Sequence, residues 1–254
     1  MLALHSRSRH SHGMMLAVVN QKGGVGKTTL AVHLAVWHLE REKRVAFIDA
    51  DGQSASSRWL RAGRWDVTLL AETEADSIVE LAGSLESTHD LVIADGPASL
   101  AEGARALLLV ADHVLVPCGV TVPELEATAA TIRMLRNARK IRDGRKPSAH
   151  LVLSRIRGDR FLLTRDARVA VQALGLPVCE QSIRLREAVA DAPGQGSVVW
   201  KMGPRAKQAA REMLGLIEEV DDYVRTSNDN GSTSSRAETV SAWRPTGAAR
   251  AAAR

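Results

Sequence analysis

The sequence is poor in features that anchor or cross-link a chain. Only two of its 254 residues are cysteines, Cys118 and Cys179, which is too few for a disulfide framework, and we expect both to be buried thiols. The longest apolar stretch, 107–117, is interrupted by Asp112 and His113 and falls far short of the roughly 20 residues that span a bilayer. The sequence shows no signal peptide and no lipidation motif. The sequence therefore predicts a soluble, cytoplasmic protein without a membrane partner.

The composition is that of a globular domain with polar ends. Hydrophobic residues make up 45% and charged residues 25% of the chain, enough to bury one substantial core. Segments 1–13 and 226–254 contain few large apolar residues and are rich in small and polar ones, which predicts a flexible N-terminal tail and a disordered C-terminal tail. The folded domain is therefore expected over 14–225.

Charge is divided unevenly along the chain. The formal net charge is +5 and the isoelectric point is near 9.6, which suggests an anionic partner. Each tail contributes +2, residues 14–132 carry 9 basic and 16 acidic side chains (−7), and residues 133–225 carry 19 and 11 (+8). The second half of the folded domain is thus the candidate surface for an anionic partner, unless the helix surfaces simply differ in charge.

Short apolar runs alternate with stretches of helical spacing. The predicted strands are Leu16–Asn20, Arg44–Asp49, Val67–Leu70, Leu91–Asp95, His113–Pro117 and His150–Ser154. The predicted helices include Thr28–Arg41, Ala101–Val110, Pro123–Arg142, Phe161–Leu174, Arg184–Asp191 and Pro204–Arg225. Alternating strands and helices favour βαβ units, and uniformly apolar runs favour a sheet covered on both faces. We therefore predict an α/β fold in which helices flank a mostly parallel, twisted β-sheet.

A glycine-rich segment separates the first predicted strand from the first predicted helix. It reads Gln21-Lys22-Gly23-Gly24-Val25-Gly26-Lys27-Thr28-Thr29. Glycines let backbone N–H groups converge on phosphate oxygens, and the positive end of the helix dipole adds to the attraction. Lys27 is placed to reach the β- and γ-phosphates, and the Thr28 hydroxyl to coordinate Mg²⁺. The order of strand, loop and helix predicts a P-loop, although the usual pattern has glycine where Gln21 stands.

Lys22, ahead of the glycines, distinguishes this loop from an ordinary P-loop. The sequence KGGVGKTT resembles the deviant Walker motif of the ParA/MinD family of ATPases. Two acidic segments follow in the family's order: 49–54 (DADGQS) is similar to its first switch, D-x-D-P-Q-G, and 95–97 (DGP) is similar to the end of its Walker A′ segment. The resemblance covers about residues 15–215 and implies one P-loop ATPase domain of the short plasmid-partition ParA class, without an N-terminal helix-turn-helix domain.

This resemblance implies ATP and Mg²⁺ as ligands and assigns roles to particular residues. The expected nucleotide contacts are Lys22, Gly23, Gly24, Val25, Gly26, Lys27, Thr28 and Thr29. In an ATP-dependent homodimer, Lys22 is expected to reach the phosphates of the other subunit, and Lys27 to offset charge at the phosphates. Asp51 is expected to position the attacking water. Thr28 is expected to coordinate the metal, and Asp95 to lie in the second shell around it.

Some positions depart from the family pattern. Gly52 and Ser54 replace a proline and a glycine of the first switch, so the path of that segment stays open at this stage. Ser154 and Arg155 fall where the family contacts the base, but neither residue distinguishes adenine from guanine.

The basic second half suggests a DNA surface. One cluster comprises Arg133, Arg136, Arg139, Lys140, Arg142, Arg145 and Lys146. Farther along, 183–199 resembles the family's stretch ending A-x-x-x-G-x-x-V, and we hypothesise that Arg184, Arg205 and Lys207 contact DNA phosphates without sequence specificity. The resemblance also implies a small, centromere-binding ParB-like partner that stimulates slow hydrolysis. The resemblance and the basic residues together predict a role in the partition of plasmid or chromosomal DNA. The alternative is that the basic residues are ordinary surface charge.

Other functions within the same superfamily would need residues that this sequence lacks. A MinD-like membrane-positioning ATPase would need a terminal amphipathic helix with bulky apolar anchors, and 248–254 offers only alanine and arginine. An iron–sulfur electron carrier would need two suitably placed cysteines, and Cys179 does not follow such a pattern. A bacterial tyrosine kinase would need a tyrosine cluster, and Tyr223 is the only tyrosine. A nucleotide-binding scaffold, or an accessory ATPase that positions another cargo such as a DNA-transfer or secretion complex, stays open.

Overall fold

Parallel strands form the centre of the molecule. The computed structural model describes residues 13–98, 102–142 and 146–229, with side chains described up to 225. The strands of this part of the chain are β1 Met14–Val18, β2 Val45–Asp49, β3 Thr68–Ala71, β4 Leu91–Asp95, β5 His113–Cys118, β6 Ser148–Ile156 and β7 Ile183–Arg184. They form a seven-stranded sheet in the order β3-β2-β4-β1-β5-β6-β7, and every pairing is parallel. The predicted α/β fold is confirmed.

Helices connect the strands and cover both faces of the sheet. The described helices are α1 Lys27–Leu39, α2 Ala55–Ala62, α3 Ala75–Thr88, α4 Glu102–Val110, α5 Val122–Ile141, α6 Leu162–Gln172, α7 Glu187–Asp191 and α8 Lys207–Asp229. Two 3₁₀ turns, Val199–Lys201 and Pro204–Ala206, precede α8. None of the helices in the described ranges is long and apolar enough to cross a membrane.

The strand order places the ends of β1 and its neighbours at a crevice. Because β1 lies between β4 and β5, the connections from these central strands leave toward opposite sides of the sheet. Ligands of open α/β sheets bind at such a point, outside the carboxyl ends of the strands. In register, Val18 of β1 pairs with Asp95 of β4, and Asp49 of β2 pairs with the same Asp95. The two aspartates therefore end neighbouring strands at this edge.

Two apolar cores hold the helices to the sheet. One face packs against α3, α4, α5 and α6. The other face packs against α1, α2 and α8, and α1 is buried continuously from Leu30 to His38 because helices and sheet enclose it. Cys118 and Cys179 are free, buried thiols, as expected.

The structure differs from the sequence prediction in several elements. The helix predicted over Arg184–Asp191 begins only at Glu187, because Ile183 and Arg184 pair with β6 as a two-residue strand. The spacing of apolar residues did not predict helices α2 and α3. Gly13, the last residue of the expected N-terminal tail, donates its backbone N–H to the carbonyl oxygen of Glu86 at 2.8 Å. At the other end of the domain, α8 continues beyond the expected boundary at 225 to Asp229. The rest of the expected tails, 1–12 and 230–254, lies outside the described residues.

Candidate nucleotide site

The glycine-rich segment forms an open loop at the carboxyl end of β1. Gly24 and Gly26 have φ angles of 73° and 93°, a left-handed conformation that residues with a Cβ rarely adopt. A Cβ at Gly26 would also lie 2.9 Å from Oγ of Ser154. Within the described part of the chain, the backbone N–H groups of positions 23 to 26 have no hydrogen-bond acceptor. Unpaired amides that lead into a helix form a cradle for an anion such as phosphate.

A buried asparagine fixes the entrance to this loop. The side-chain amide of Asn20 donates to the carbonyl oxygen of Pro117 at 2.7 Å and to Oγ1 of Thr128 at 2.9 Å. Its side-chain oxygen accepts the backbone N–H of Lys22 at 3.1 Å. Asn20 therefore ties the loop to β5 and α5. Sequence reasoning had given it no role; an asparagine directly before a turn, able to bond the backbone two residues on, is the signal that could have indicated one.

The two lysines of the loop lie in different environments. Lys27 is only 6% exposed, and its Nζ donates to the carbonyl oxygen of Lys22 at 3.2 Å. Burial lowers the pKa of the Lys27 ammonium, while the carboxylates of Asp95 and Asp51 oppose that shift. The Lys22 side chain is exposed and does not line the cleft of its own chain. Lys27 is thus held inside the loop, and Lys22 faces outward.

Thr28 and Asp95 are joined by a hydrogen bond. Thr28 Oγ1 donates to Oδ2 of Asp95 at 2.7 Å, whereas the buried Oδ1 has no hydrogen-bond partner among the described residues. Burial raises the pKa of Asp95 to about 7; the Thr28 hydrogen bond and the Lys27 charge oppose this, and the Asp49 carboxylate adds to it. A hydroxyl beside an unpartnered carboxylate oxygen offers the hard oxygen donors that Mg²⁺ prefers, and Mg²⁺ usually keeps several waters besides. These residues fit the expected ion.

Two aspartates shape the turn that leaves β2. Asp49 accepts the backbone N–H groups of Asp51 at 3.2 Å and Ser57 at 2.8 Å. Asp51 accepts the backbone N–H of Gln53 at 3.0 Å, and it lines the cleft while staying partly exposed. Ser54 has φ 50° and ψ 38°, so it takes the left-handed conformation that glycine adopts most readily. The turn therefore forms without the family's proline and glycine.

Many of the predicted residues line one cleft of about 370 Å³; Lys22 and Asp95 do not line it, although Asp95 accepts a hydrogen bond from Thr28, which does. The cleft is lined by Gly23, Gly24, Gly26, Lys27, Thr28, Thr29, Asp51, Gln53, Ser154, Arg155 and the segment 183–186, among others. Val25 differs, because its side chain is buried in the domain and only its backbone belongs to the loop. Clefts of roughly 300–1,000 Å³ are typical of small-molecule sites. Ser154, expected near the base, has a buried hydroxyl without a partner among the described residues.

The three residues predicted to contact DNA separate into two groups. Arg184 lines the cleft and pairs with Asp159 at 2.6 Å and Glu212 at 3.4 Å. Arg205 and Lys207 are exposed at the beginning of α8 and join no ion pair within the described ranges. Arg205 and Lys207 therefore offer available positive charge, whereas Arg184 is already neutralised by carboxylates.

The basic cluster near the end of α5 lies at the opposite edge of the sheet. Because α5 runs back from the carboxyl end of β5, its last turn meets the beginning of β6, about 30 Å from the first turn. There Arg136 donates to the carbonyl oxygen of Leu174 at 2.8 Å, and Arg139 to that of Pro147 at 2.8 Å. Lys146 pairs with Asp112. Much of this cluster therefore binds the protein's own carbonyl and carboxylate groups; Arg145 lies outside the described residues.

A close backbone contact joins the end of α2 to the segment that precedes α8. Gly196 has φ 56°, and a Cβ there would lie 2.7 Å from the carbonyl carbon of Ala62 at the end of α2. Trp59 of α2 donates its indole N–H to the carbonyl oxygen of Ser197 at 2.9 Å. His33 of α1 accepts the backbone N–H of Val199 at 3.2 Å. The glycine of the A-x-x-x-G-x-x-V stretch thus permits docking on α1 and α2, which follow the P-loop and the switch.

Comparison with known proteins agrees with this geometry. The CobQ/CobB/MinD/ParA nucleotide binding domain matches residues 16–199. A protein of Halothiobacillus neapolitanus named maintenance of carboxysome distribution protein A is 33% identical over 210 residues, covering 81% of this chain and 95% of that one. The chromosome-partitioning ATPase Soj of Thermus thermophilus is 28% identical over 243 residues, covering 80% and 96%. The structure of apo McdA from Cyanthece has the same fold, with a TM-score of 0.70 at 19% identity and coverage of 82% and 100%.

The matched residues include the glycine-rich loop and the first switch, which line the cleft, and β4, whose Asp95 accepts the hydrogen bond from Thr28. The chain therefore belongs to the CobQ/CobB/MinD/ParA family of nucleotide-binding domains and is a ParA/MinD-type member of it.

Proposed function

We propose that the protein is a Mg²⁺-dependent ATPase that positions cargo by cycling between monomer and ATP-bound dimer. The observation that carries this proposal is that one cleft brings together unpaired loop amides, the buried Lys27, Asp51 and Thr28, and that Thr28 is hydrogen-bonded to the buried Asp95. Phosphoryl transfer is accelerated chiefly by positioning and by offsetting charge, and this set supplies both.

Each of these groups has a definite task in the proposed reaction. The amides and Lys27 bind phosphate oxygens and offset negative charge that develops on them. Thr28 and Asp95 would hold the Mg²⁺ ion, which supplies further positive charge at the phosphates when bound. Asp51 is held by the amide of Gln53 and is open to solvent, so its carboxylate can orient a water molecule in the cleft.

Hydrolysis is tested by Asp51→Ala, with the exposed Asp66→Ala as the charge-matched control. We expect Asp51→Ala to bind ATP and to lose turnover by at least tenfold, and Asp66→Ala to behave as the unaltered chain. Single-turnover release of phosphate from MgATP gives the rate. Unchanged turnover in Asp51→Ala would remove that carboxylate from the mechanism.

Dimer formation is proposed to depend on Lys22. Its exposed side chain does not line its own cleft, which fits a residue that reaches the nucleotide of a second copy. We expect Lys22→Ala to bind MgADP normally and to stay monomeric with MgATP in analytical ultracentrifugation. Lys140→Ala, an exposed lysine at the opposite edge of the sheet, is the control. An ATP-dependent dimer in Lys22→Ala would contradict this role.

DNA partition is the first candidate for the cargo. Lys207 and Glu212 line one surface groove, and Arg186, the partner of Glu212, lines the cleft, so the nucleotide site and the positive surface of Arg205 and Lys207 are neighbours. We expect MgATP-dependent retention of non-specific DNA at about 50 mM salt that falls steeply as salt rises. The variant Arg205→Glu/Lys207→Glu should lose it, whereas Arg133→Glu/Lys140→Glu at the opposite edge should keep it. Equal retention by both variants would exclude this surface.

The same cycle with another cargo is the second candidate. The relative that is 33% identical over 95% of its length is named for carboxysome distribution, not for chromosome partitioning. Deleting the gene separates the two. Loss of a replicon during growth, together with ATPase stimulation by a small centromere-binding protein, supports partition; stable replicons with a mispositioned protein assembly support the second candidate.

A further inference from the structure

Arg155 stands at a strained position beside the glycine-rich loop. It is a non-glycine residue with φ of 58°, and it lies at an irregularity of β6, where the pairing with β7 shifts between Ser154 and Ile156. Residues with a Cβ are held in the left-handed region only where surrounding contacts require it, and such positions concentrate at functional sites. The bulge turns the backbone so that the Arg155 side chain lines the cleft.

The Arg155 guanidinium bridges the loop and a buried carboxylate. Its Nη1 donates to the carbonyl oxygen of Gly24 at 3.1 Å and lies 3.9 Å from Oε1 of Glu124. The Arg155 side chain is 51% exposed, whereas that of Glu124 is 11% exposed. The buried carboxylate is therefore the fixed partner, and the arginine reaches from it to the loop.

Glu124 is itself held firmly in place. Its Oε2 accepts the backbone N–H of Thr121 at 3.0 Å and the hydroxyl of Thr121 at 2.6 Å, which caps the beginning of α5. Gly119 leaves the space that Glu124 occupies, since a Cβ at this position would lie 2.1 Å from Cδ of Glu124. Oε1 is left to face Arg155.

The bond to Gly24 determines where an amide of the loop points. In a trans peptide the carbonyl oxygen and the following N–H point in opposite directions. A Gly24 carbonyl that is bonded to Arg155 therefore directs the N–H of Val25 away from the guanidinium, and this N–H has no acceptor among the described residues. Without that bond, the Gly24–Val25 peptide is free to rotate, because Gly24 carries no side chain.

We propose that Arg155 is a positioning residue of the phosphate cradle: held by Glu124, it fixes the Gly24 carbonyl and so orients the Val25 amide for a polyphosphate. The inference rests on the proposed nucleotide binding. This role of Arg155 differs from contact with the base. Arg155 bonds to the loop backbone, so loss of that bond must weaken the binding of every nucleotide by the same factor. The proposed role of Arg155 also differs from that of Lys27, which would contact the phosphate directly.

The test measures MgADP and MgGDP affinity by calorimetry, alongside the melting temperature of the nucleotide-free protein. We expect Arg155→Ala and Arg155→Gly to bind both nucleotides about tenfold more weakly, with the ADP-to-GDP ratio unchanged, and Arg155→Lys to recover part of the loss. Arg157→Ala, an exposed arginine two residues on, is the control and should bind normally. Since glycine relieves the left-handed strain, Arg155→Gly should melt about 2–4 °C above Arg155→Ala despite equally weak binding.

Two further variants probe the carboxylate. Glu124→Gln keeps an oxygen for the Thr121 cap but loses the negative charge that faces Arg155. Gly119→Ala adds a methyl group where the Glu124 carboxylate lies and so displaces it. Both variants should weaken MgADP binding, whereas Glu126→Gln, at an exposed glutamate, should not. Normal binding by Arg155→Ala, or a changed ADP-to-GDP ratio, would overturn the inference and leave the proposed function intact. No binding of either nucleotide by the unaltered chain would overturn both.

Discussion

Gly196→Ala tests the docking of the 196–199 segment on α2. The added Cβ would lie 2.7 Å from the carbonyl carbon of Ala62, 2.9 Å from the backbone nitrogen of Gly63 and 3.0 Å from Cβ of Ala62. None of these atoms can rotate away, because they belong to the backbone of α2 and its C-cap or are fixed to it. The two segments must therefore separate to accommodate the methyl group.

The expected cost has two parts. A non-glycine residue at φ 56° costs roughly 1–2 kcal/mol, and overpacking against fixed neighbours costs roughly 1–3 kcal/mol more. We therefore expect Gly196→Ala to lower the free energy of unfolding by about 2–5 kcal/mol. In a domain of this size, each kcal/mol corresponds to a fall in Tm of about 2–4 °C.

Gly24→Ala provides the control, because Gly24 also has a positive φ, 73°, but a Cβ there would meet only Nη1 of Arg155, at an ordinary contact distance of 3.7 Å. This variant should show only the backbone cost. Urea denaturation of both variants, monitored by tryptophan fluorescence, measures the difference. A Gly196→Ala variant no less stable than Gly24→Ala would refute the close contact between α2 and residue 196.

Three further outcomes are expected. Asn20→Ala removes buried hydrogen bonds at the loop entrance and should lower the free energy of unfolding by about 2–3 kcal/mol, whereas exposed Asn137→Ala should be neutral in the same urea assay. Burial lowers the pKa of His33 to about 4, so below pH 6.5 the unfolded chain binds a proton at this residue that the folded chain does not; between pH 7 and pH 5 the unfolding free energy should therefore fall by about 2 kcal/mol less in His33→Gln than in the unaltered chain. Ser54→Gly relieves a left-handed serine and should raise stability by up to about 1 kcal/mol in thermal melts, with turnover unchanged; a destabilised variant would contradict the observed φ of 50°.

The sequence carried most of the fold because the signals are local. Apolar runs such as that of β4 and the helical spacing of α1 and α5 depend only on neighbouring residues. All six predicted strands formed, β4 with the predicted bounds and the other five with ends shifted by one or two residues. The two-residue β7 could not be predicted, because its strand character comes only from pairing with β6. Its presence moved Arg184 from a predicted helix to the wall of the cleft.

The part of the nucleotide site that one continuous segment supplies could also be predicted from the sequence. Gly23 to Thr29 form a contiguous loop and first helical turn, so their spacing alone places them around one anion, and the position of Asp51 and Asp95 at or just after strand ends brings both to the same edge. The supporting residues were not visible in this way. Asn20 binds groups 97 and 108 positions away, and Arg155 bonds to a glycine 131 positions away.

The family, the P-loop and the division of charge were therefore predictable from the amino-acid sequence, because they depend on residue order and composition. Which charges are free depends on the folded arrangement. It paired Arg184 with Asp159 and Glu212, bound much of the α5 cluster to carbonyl and carboxylate groups, and left Arg205 and Lys207 exposed. A charge count cannot distinguish these cases, since the availability of a cation depends on which distant carboxylates and carbonyls the fold brings within reach.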